Sequence, residues 1–102
     1  MYKITQQFTA LMPDMEVRKT EKVKRTYDGK EYERLQVDFD DKDCNRVVLL
    51  DKNLENVDIY KKGVVGTVYV KVTEKTVPRK APNGGYFIGD AVEYEIENFV
   101  CE

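Results

Sequence analysis

Three cations and two tyrosines alternate along a short segment in the first third of the chain. They are Arg25, Tyr27, Lys30, Tyr32 and Arg34. Guanidinium and ammonium groups can neutralise phosphates, and flat rings can accept unstacked bases at about 1–3 kcal/mol per stacked base. Duplex readers instead place a helix or a ribbon in the major groove, and no recognition helix is visible here. The residue types therefore favour a surface for single-stranded nucleic acid.

These side chains share a surface only if the segment folds as a hairpin in one particular register. Asp28-Gly29 is among the strongest short signals for a two-residue hairpin turn. With the turn there, Arg25 faces Tyr32, whereas Lys24 faces Glu33 on the opposite, self-neutralised face. The alternative is an ordinary hairpin in which Arg25 lies over Tyr32 as a cross-strand cation–π pair.

A second run of cations lies in the last third of the chain. It comprises Lys71, Lys75, Arg79 and Lys80, with Tyr69 and Tyr86 close to its ends. Pro78 and Pro82 with Asn83-Gly84-Gly85 mark a long mobile connection between two strands. In an OB barrel the loop between strands four and five borders the ligand groove, so we expect these six residues to extend the surface. The formal net charge of −2 does not exclude an anionic ligand, because the local field decides steering.

Alternation with a period of two runs through most of the chain and predicts β strands. The apolar positions of three such strands are predicted to form the core: Leu35, Val37, Phe39, Val68, Val70, Val72, Val92, Tyr94 and Ile96. An opening strand would place Tyr2, Ile4 and Phe8 on one face. The apolar run Val47–Leu50 is typical of a strand buried on both faces.

Asp51–Tyr60 is the segment that can hold a helix, and only a short one. Leu54 and Val57 give an i, i+3 stripe that follows Asp51 as the N-cap. The element order is then strand, long hairpin, strand, short helix, strand, loop and final strand. This order predicts an all-β, single-domain protein over residues 1–102, a small five-stranded OB-fold-like barrel with a short helix between strands 3 and 4. An SH3-like barrel and an open β-roll are the alternatives.

Asp28-Gly29-Lys30-Glu31-Tyr32, a strand, the run Val47–Leu50 and then Tyr60-Lys61-Lys62-Gly63 before another strand resemble the filamentous-phage single-stranded DNA-binding proteins. The same order is similar to that of the SSB-like helicase processivity proteins of Gram-positive integrative and conjugative elements. The match covers roughly residues 20–100 in layout.

The resemblance implies roles for individual residues of the hairpin. In the phage family a Gly-Lys-x-Tyr hairpin forms a DNA-binding wing with a base-stacking tyrosine, which implicates Lys30 and Tyr32, with Arg25 added by position. The family also implies a homodimer and a helicase or polymerase partner. The connection that holds Lys75, Arg79 and Lys80 is longer here than in the phage proteins, and this departure bears on the dimer arrangement.

The sequence lacks the residues on which most enzymatic chemistry depends. There is no histidine, and Cys44 and Cys101 have no Cys-x-x-Cys spacing, so neither catalysis nor a metal site is predicted. No cofactor motif occurs. Two unstapled cysteines, no signal-peptide h-region and no run of about 20 apolar residues lead us to expect a cytoplasmic protein that does not cross a membrane.

Two functions remain open from the sequence. The first is non-sequence-specific binding of single-stranded DNA, with RNA as a further candidate ligand, in replication or transfer of a phage or mobile element. The second is a protein-interaction module that docks a peptide or a subunit on an exposed strand edge.

Overall fold

Five strands and one short 3-10 helix make up the computed structural model, which describes residues 3–27 and 29–102. Tyr2, Asp28 and the side chain of Tyr27 lie outside the described part of the chain. The elements are β1 (Lys3–Tyr27), β2 (Lys30–Asp40), β3 (Arg46–Asp51), the 3-10 helix (Leu54–Asp58), β4 (Val65–Lys80) and β5 (Tyr86–Cys101). The predicted all-β class is therefore confirmed.

The five strands form one sheet that closes on itself in the order β1-β2-β3-β5-β4. The neighbours are antiparallel except β3 and β5, which run parallel and meet at the pair Leu50 and Glu95. The radius of gyration is 15.7 Å, against about 13 Å for a compact domain of this length. The difference reflects two long hairpins, β1–β2 and β4–β5, that extend beyond the closed part of the sheet.

Strand β1 takes part in two ladders. Its first part pairs with β4 as far as Glu16, and its second part pairs with β2 from Glu16 onward. The register shifts between Met12 and Met15, and Asp14 there has a positive φ of 57°, a conformation that Asp tolerates better than most residues. Such irregularities bend a strand. The opening strand and the first hairpin arm, separate in the prediction, are thus one bent strand.

The core lies inside the closed part of the sheet. Its buried apolar residues are Met15, Val17, Leu35, Val37, Phe39, Leu49, Tyr60, Val68, Val70, Val72, Ile96 and Phe99. Phe39, Tyr60 and Phe99 contact one another, with ring centroids 5.5–6.3 Å apart. Seven of the nine predicted core residues are confirmed.

The prediction for Val92 and Tyr94 is wrong, since they are 47% and 55% exposed. Both lie in the part of β5 that pairs with β4 beyond the closed part of the sheet, where no element among the described residues covers that face. Alternation predicted which residues share a face of β5, but it could not reveal that the face extends past the core.

The connection between β3 and β4 differs from the prediction in its cap. Asn53 is the N-cap of the 3-10 helix, and its side chain accepts a hydrogen bond from the backbone N–H of Glu55. Asp51, the predicted cap, is buried and accepts a 2.6 Å hydrogen bond from the Tyr60 hydroxyl. Burial, together with that carboxylate, raises the pKa of Tyr60. No helix in the described ranges is long and apolar enough to cross a membrane.

Two further predictions about faces fail for local reasons. Within Val47–Leu50 only Leu49 is buried, and Val48 is exposed, because β3 has one face on the core and the other toward solvent. Ile4 pairs with Lys75 while Phe8 pairs with Val72, so a register shift after Ile4 places these two residues on opposite faces.

Candidate nucleic-acid interface

The predicted register of the β1–β2 hairpin is confirmed. Arg25 pairs with Tyr32, Lys24 with Glu33, and the ladder runs without a shift from the hairpin tip to Lys19. Because Leu35 and Val37 point into the core, the alternate residues of β2 point outward. The outward face of this hairpin therefore carries the predicted residues Arg25, Lys30, Tyr32 and Arg34, whereas the side chain of Tyr27, also predicted there, lies outside the described part of the chain.

A groove of about 590 Å³ lies where the β1–β2 hairpin, the end of β3 and the middle of β5 come together. We call it the upper groove, and it is lined by Arg25, Thr26, Tyr32, Arg34, Leu50, Lys75, Glu93, Tyr94 and Glu95. By alternation, most of these belong to the outward face of the sheet, because Leu49 and Ile96 point inward beside Leu50 and Glu95. Its volume is in the range of ligand sites.

Two arginines hold different positions on one side of the upper groove. The Arg34 guanidinium lies 5.2 Å from the ring centroid of Tyr32, so the cation–π partner of Tyr32 comes from its own strand rather than being Arg25. Arg25 instead donates to the side-chain oxygen of Gln36 at 3.0 Å, and Gln36 donates to Glu21 at 3.3 Å. Tyr32 remains 38% exposed, which leaves ring surface for a ligand.

The other side of the upper groove carries carboxylates. Lys75, a predicted binding residue, has a side chain only 5% exposed, and its ammonium lies 2.5 Å from a carboxylate oxygen of Glu93. Glu95 forms a longer ion pair, 3.4 Å, with Lys52. Neither glutamate is among the residues predicted from the sequence, because the predicted surface was defined by its cations and tyrosines. The sequence feature that could have identified them is the acidic segment of β5, which contains no cation and pairs directly with β4.

The second basic segment is spread along the β4–β5 hairpin. The long connection predicted from Pro78 is wrong, because β4 runs through Pro78 to Lys80 and a short turn leads to β5 at Tyr86. Of the six predicted binding residues in this segment, Lys75 is the one that lines the upper groove within the described chain. Tyr69 and Lys71 are half-buried on the outward face of β4. Lys80 and Tyr86 are exposed and pair with each other next to the turn. The Arg79 side chain lies against Gly89 and donates to the backbone carbonyl of Asp90 at 3.1 Å.

A second groove, of about 520 Å³, lies farther along the outward face of the β1–β2 ladder. We call it the lower groove, and it is lined by Glu16, Val17, Arg18, Lys19, Asp38, Asp40, Arg46, Lys62 and Gly63. Its charges are largely paired locally: Arg46 contacts Asp38 at 2.6 Å and Arg18 contacts Asp40 at 3.2 Å. The cations of the lower groove are therefore less available to a ligand than those of the upper groove.

The acidic residues that follow β2 stabilise the turn into β3. A side-chain oxygen of Asp41 accepts the backbone N–H groups of Asp43 and Asn45, both at 2.9 Å. The hydrogen bonds from the backbones of Asn45 and Asp43 lower the pKa of Asp41. This is an Asx-type turn, and within the described residues no three His, Cys, Asp or Glu side chains converge to hold a metal ion.

Comparisons with known proteins found no family model, no curated protein and no solved structure that matches this chain. The candidate interface therefore depends on the β1–β2 register and on the residues that line the upper groove. Together they place a tyrosine and two arginines opposite a pair of carboxylates.

Proposed function

We propose that this chain binds single-stranded DNA in the upper groove, with Tyr32 as the stacking platform and Arg25 and Arg34 as phosphate contacts. The supporting observation is that the β1–β2 register aligns these three side chains on one outward face that lines a groove. Stacking on an aromatic ring and contact with cations together account for single-strand binding in general. Lys30 lies on the same outward face, next to the hairpin tip.

We also propose that the closed sheet is an OB-fold. Its support is the strand order β1-β2-β3-β5-β4, the parallel contact of β3 with β5, and the 3-10 helix between β3 and β4. OB-folds bind oligonucleotides on the outward face of strands 2 and 3, between the loops that join strands 1–2 and 4–5. The upper groove lies beside β2 and the end of β3, in agreement with this assignment.

The remaining parts of the proposal concern specificity and role. A base stacks through its π face whatever its identity, so binding to different sequences is expected to vary far less than for a duplex reader. We propose a non-enzymatic, cytoplasmic role in replication or transfer of a phage or mobile element, on the basis of the hairpin's resemblance to those proteins. The homodimer and the helicase or polymerase partner belong to the same proposal.

Fluorescence anisotropy with three labelled ligands tests this function. Oligo-dT, an RNA of equal length and a duplex of equal length would each be titrated at two salt concentrations. We expect the tightest binding to a single strand and an affinity that falls linearly on a log–log plot against salt, because phosphate contacts release counterions. Equal or tighter binding to the duplex would refute the proposal.

A second candidate function is strand addition by a peptide. Within the described chain, Lys30–Arg34 of β2 pairs only with β1, and Tyr86–Tyr94 of β5 pairs only with β4, so each has a free backbone edge. Free edges are templates for an added strand. A peptide held by backbone hydrogen bonds and apolar contacts would be nearly indifferent to salt, which distinguishes it from nucleic acid.

A further inference from the structure

The position of Glu95 in the upper groove carries an inference about which bases the groove accepts. We propose that Glu95 accepts hydrogen bonds from the edge of a base stacked on Tyr32. The groove would then prefer bases that present amino groups, guanine above all, over thymine. This inference rests on the proposed function and adds to it a preference for base composition.

The two sides of the upper groove differ in charge. Arg25 and Arg34 come from the β1–β2 hairpin, whereas the other side holds Glu93, Glu95 and the buried Lys75, whose ammonium is paired with Glu93. A phosphate placed beside the glutamates would be repelled, and one placed beside the arginines would be attracted. A strand in the groove therefore runs its backbone along the arginines and directs its base edges toward β5.

Of the two carboxylates, Glu95 is the one with free acceptor capacity. Glu93 is held at 2.5 Å by the ammonium of Lys75, whose side chain is buried. The partner of Glu95 is Lys52, which is 66% exposed and 3.4 Å away. Exposed ion pairs of that kind are weak and easily exchanged. The backbone of Glu95 is also held in place, because it pairs with Leu50 where β3 meets β5.

Bases differ in what they offer to such an acceptor. An ionised carboxylate accepts hydrogen bonds and cannot donate. Guanine presents two adjacent donors on its Watson–Crick edge, the N1–H and the N2 amino group, and can therefore bind a carboxylate through both oxygens. Cytosine offers its N4 amino group and adenine its N6 amino group. Thymine offers one N–H that is flanked by two carbonyl oxygens, and a carboxylate repels those oxygens.

The test compares three oligonucleotides of equal length by anisotropy: oligo-dT, an alternating dG/dT sequence, and the same sequence with inosine in place of guanine. Inosine lacks the N2 amino group but keeps the N1–H. We expect dG/dT to bind at least about fivefold tighter than dT, as one paired contact of this kind provides. Inosine should lose most of that advantage.

Two glutamate-to-glutamine variants test whether Glu95 is the residue that sets the base preference. Glu95→Gln should abolish the preference for dG/dT, because the neutral amide presents only one acceptor oxygen to the base edge. Glu97→Gln removes the same charge from the same strand, but Glu97 is absent from the groove lining and contacts Thr9 instead. Its preference for dG/dT should therefore be unchanged.

The outcomes separate this inference from the proposed function. Equal binding of dT and dG/dT by the native chain, or an unchanged preference in Glu95→Gln, would overturn the role of Glu95 while leaving single-strand binding in place. A failure to bind any of the three oligonucleotides would overturn the proposed function and this inference with it. The inosine comparison uses the native chain, so it holds whether or not a variant folds.

Discussion

The β1–β2 and β4–β5 hairpins are both long and both carry cations and tyrosines, but they differ in what surrounds those side chains. In β1–β2, Arg25, Tyr32 and Arg34 share one outward face that lines the upper groove. In β4–β5, the buried Lys75 faces Glu93, and Arg79 lies against its own hairpin. Cations in a sequence therefore indicate a binding surface only when the neighbouring strand leaves their charge available.

The comparison predicts a large difference between one tyrosine from each hairpin. Tyr32→Ala should weaken binding of oligo-dT by about 1–3 kcal/mol, because a stacking platform in the groove disappears. Tyr86→Ala should have a much smaller effect, since Tyr86 does not line the upper groove. Anisotropy at one salt concentration measures both. Comparable losses would show that the tip of the β4–β5 hairpin also contacts the ligand.

A stability measurement tests whether Val92, on the outer part of β5, lies outside the core. Val70→Ala should lower the free energy of unfolding by about 1–3 kcal/mol, because it removes buried methyl groups and leaves a cavity. Val92→Ala should change it by less than about 0.5 kcal/mol, because Val92 is half exposed. Urea unfolding followed by circular dichroism measures both values. Equal losses would mean that the β4–β5 hairpin packs against something that covers Val92.

The sequence was sufficient for the hairpin register and for most of the core. Asp28-Gly29 indicated where the turn lies, and a ladder with a period of two then defined the partner of every residue back to Lys19. Val70 and Ile96 are buried as alternation predicted. Both results need only local geometry, since each strand pair there is regular.

What the sequence did not show depends on irregular or long-range geometry. The register shift after Ile4 changes the face of Ile4 relative to Phe8, and no residue type marks it. Tyr60 and Asp51 are paired in the core through a loop without periodicity. Glu95 lines the upper groove because β5 meets β3, a contact between strands far apart in the chain. These features follow from closure of the sheet.

The buried pair of Tyr60 and Asp51 in the closed part of the sheet makes the stability of the fold depend on pH. Burial and the Asp51 carboxylate raise the pKa of Tyr60 above its ordinary value, which is about 10. Above that pH the unfolded chain loses the phenol proton while the folded chain keeps it. The stabilisation is therefore complete below pH 10, and the free energy of unfolding should fall above it by up to about 1.4 kcal/mol per pH unit.

Tyr60→Phe separates this effect from the titration of other groups. The variant should lose about 1–3 kcal/mol near neutral pH, because the Asp51 carboxylate loses a donor. Its stability should then fall less steeply than that of the native chain between pH 9 and pH 11. Urea unfolding across that range gives both curves. Parallel curves would mean that the Tyr60 hydroxyl titrates at its ordinary pKa in the folded chain.

The smallest expected effect distinguishes two adjacent cations on opposite faces of the β1–β2 hairpin. Arg25 lies on the outward face with Tyr32, whereas Lys24 lies on the other face opposite Glu33. Arg25→Ala should reduce the slope of log affinity against log salt by about 0.7, the value for one lost phosphate contact on a single strand. Lys24→Ala removes the same charge one residue away and should leave the slope unchanged. If both variants reduce the slope equally, the hairpin attracts DNA through its overall charge, and the face that the register defines does not select the ligand.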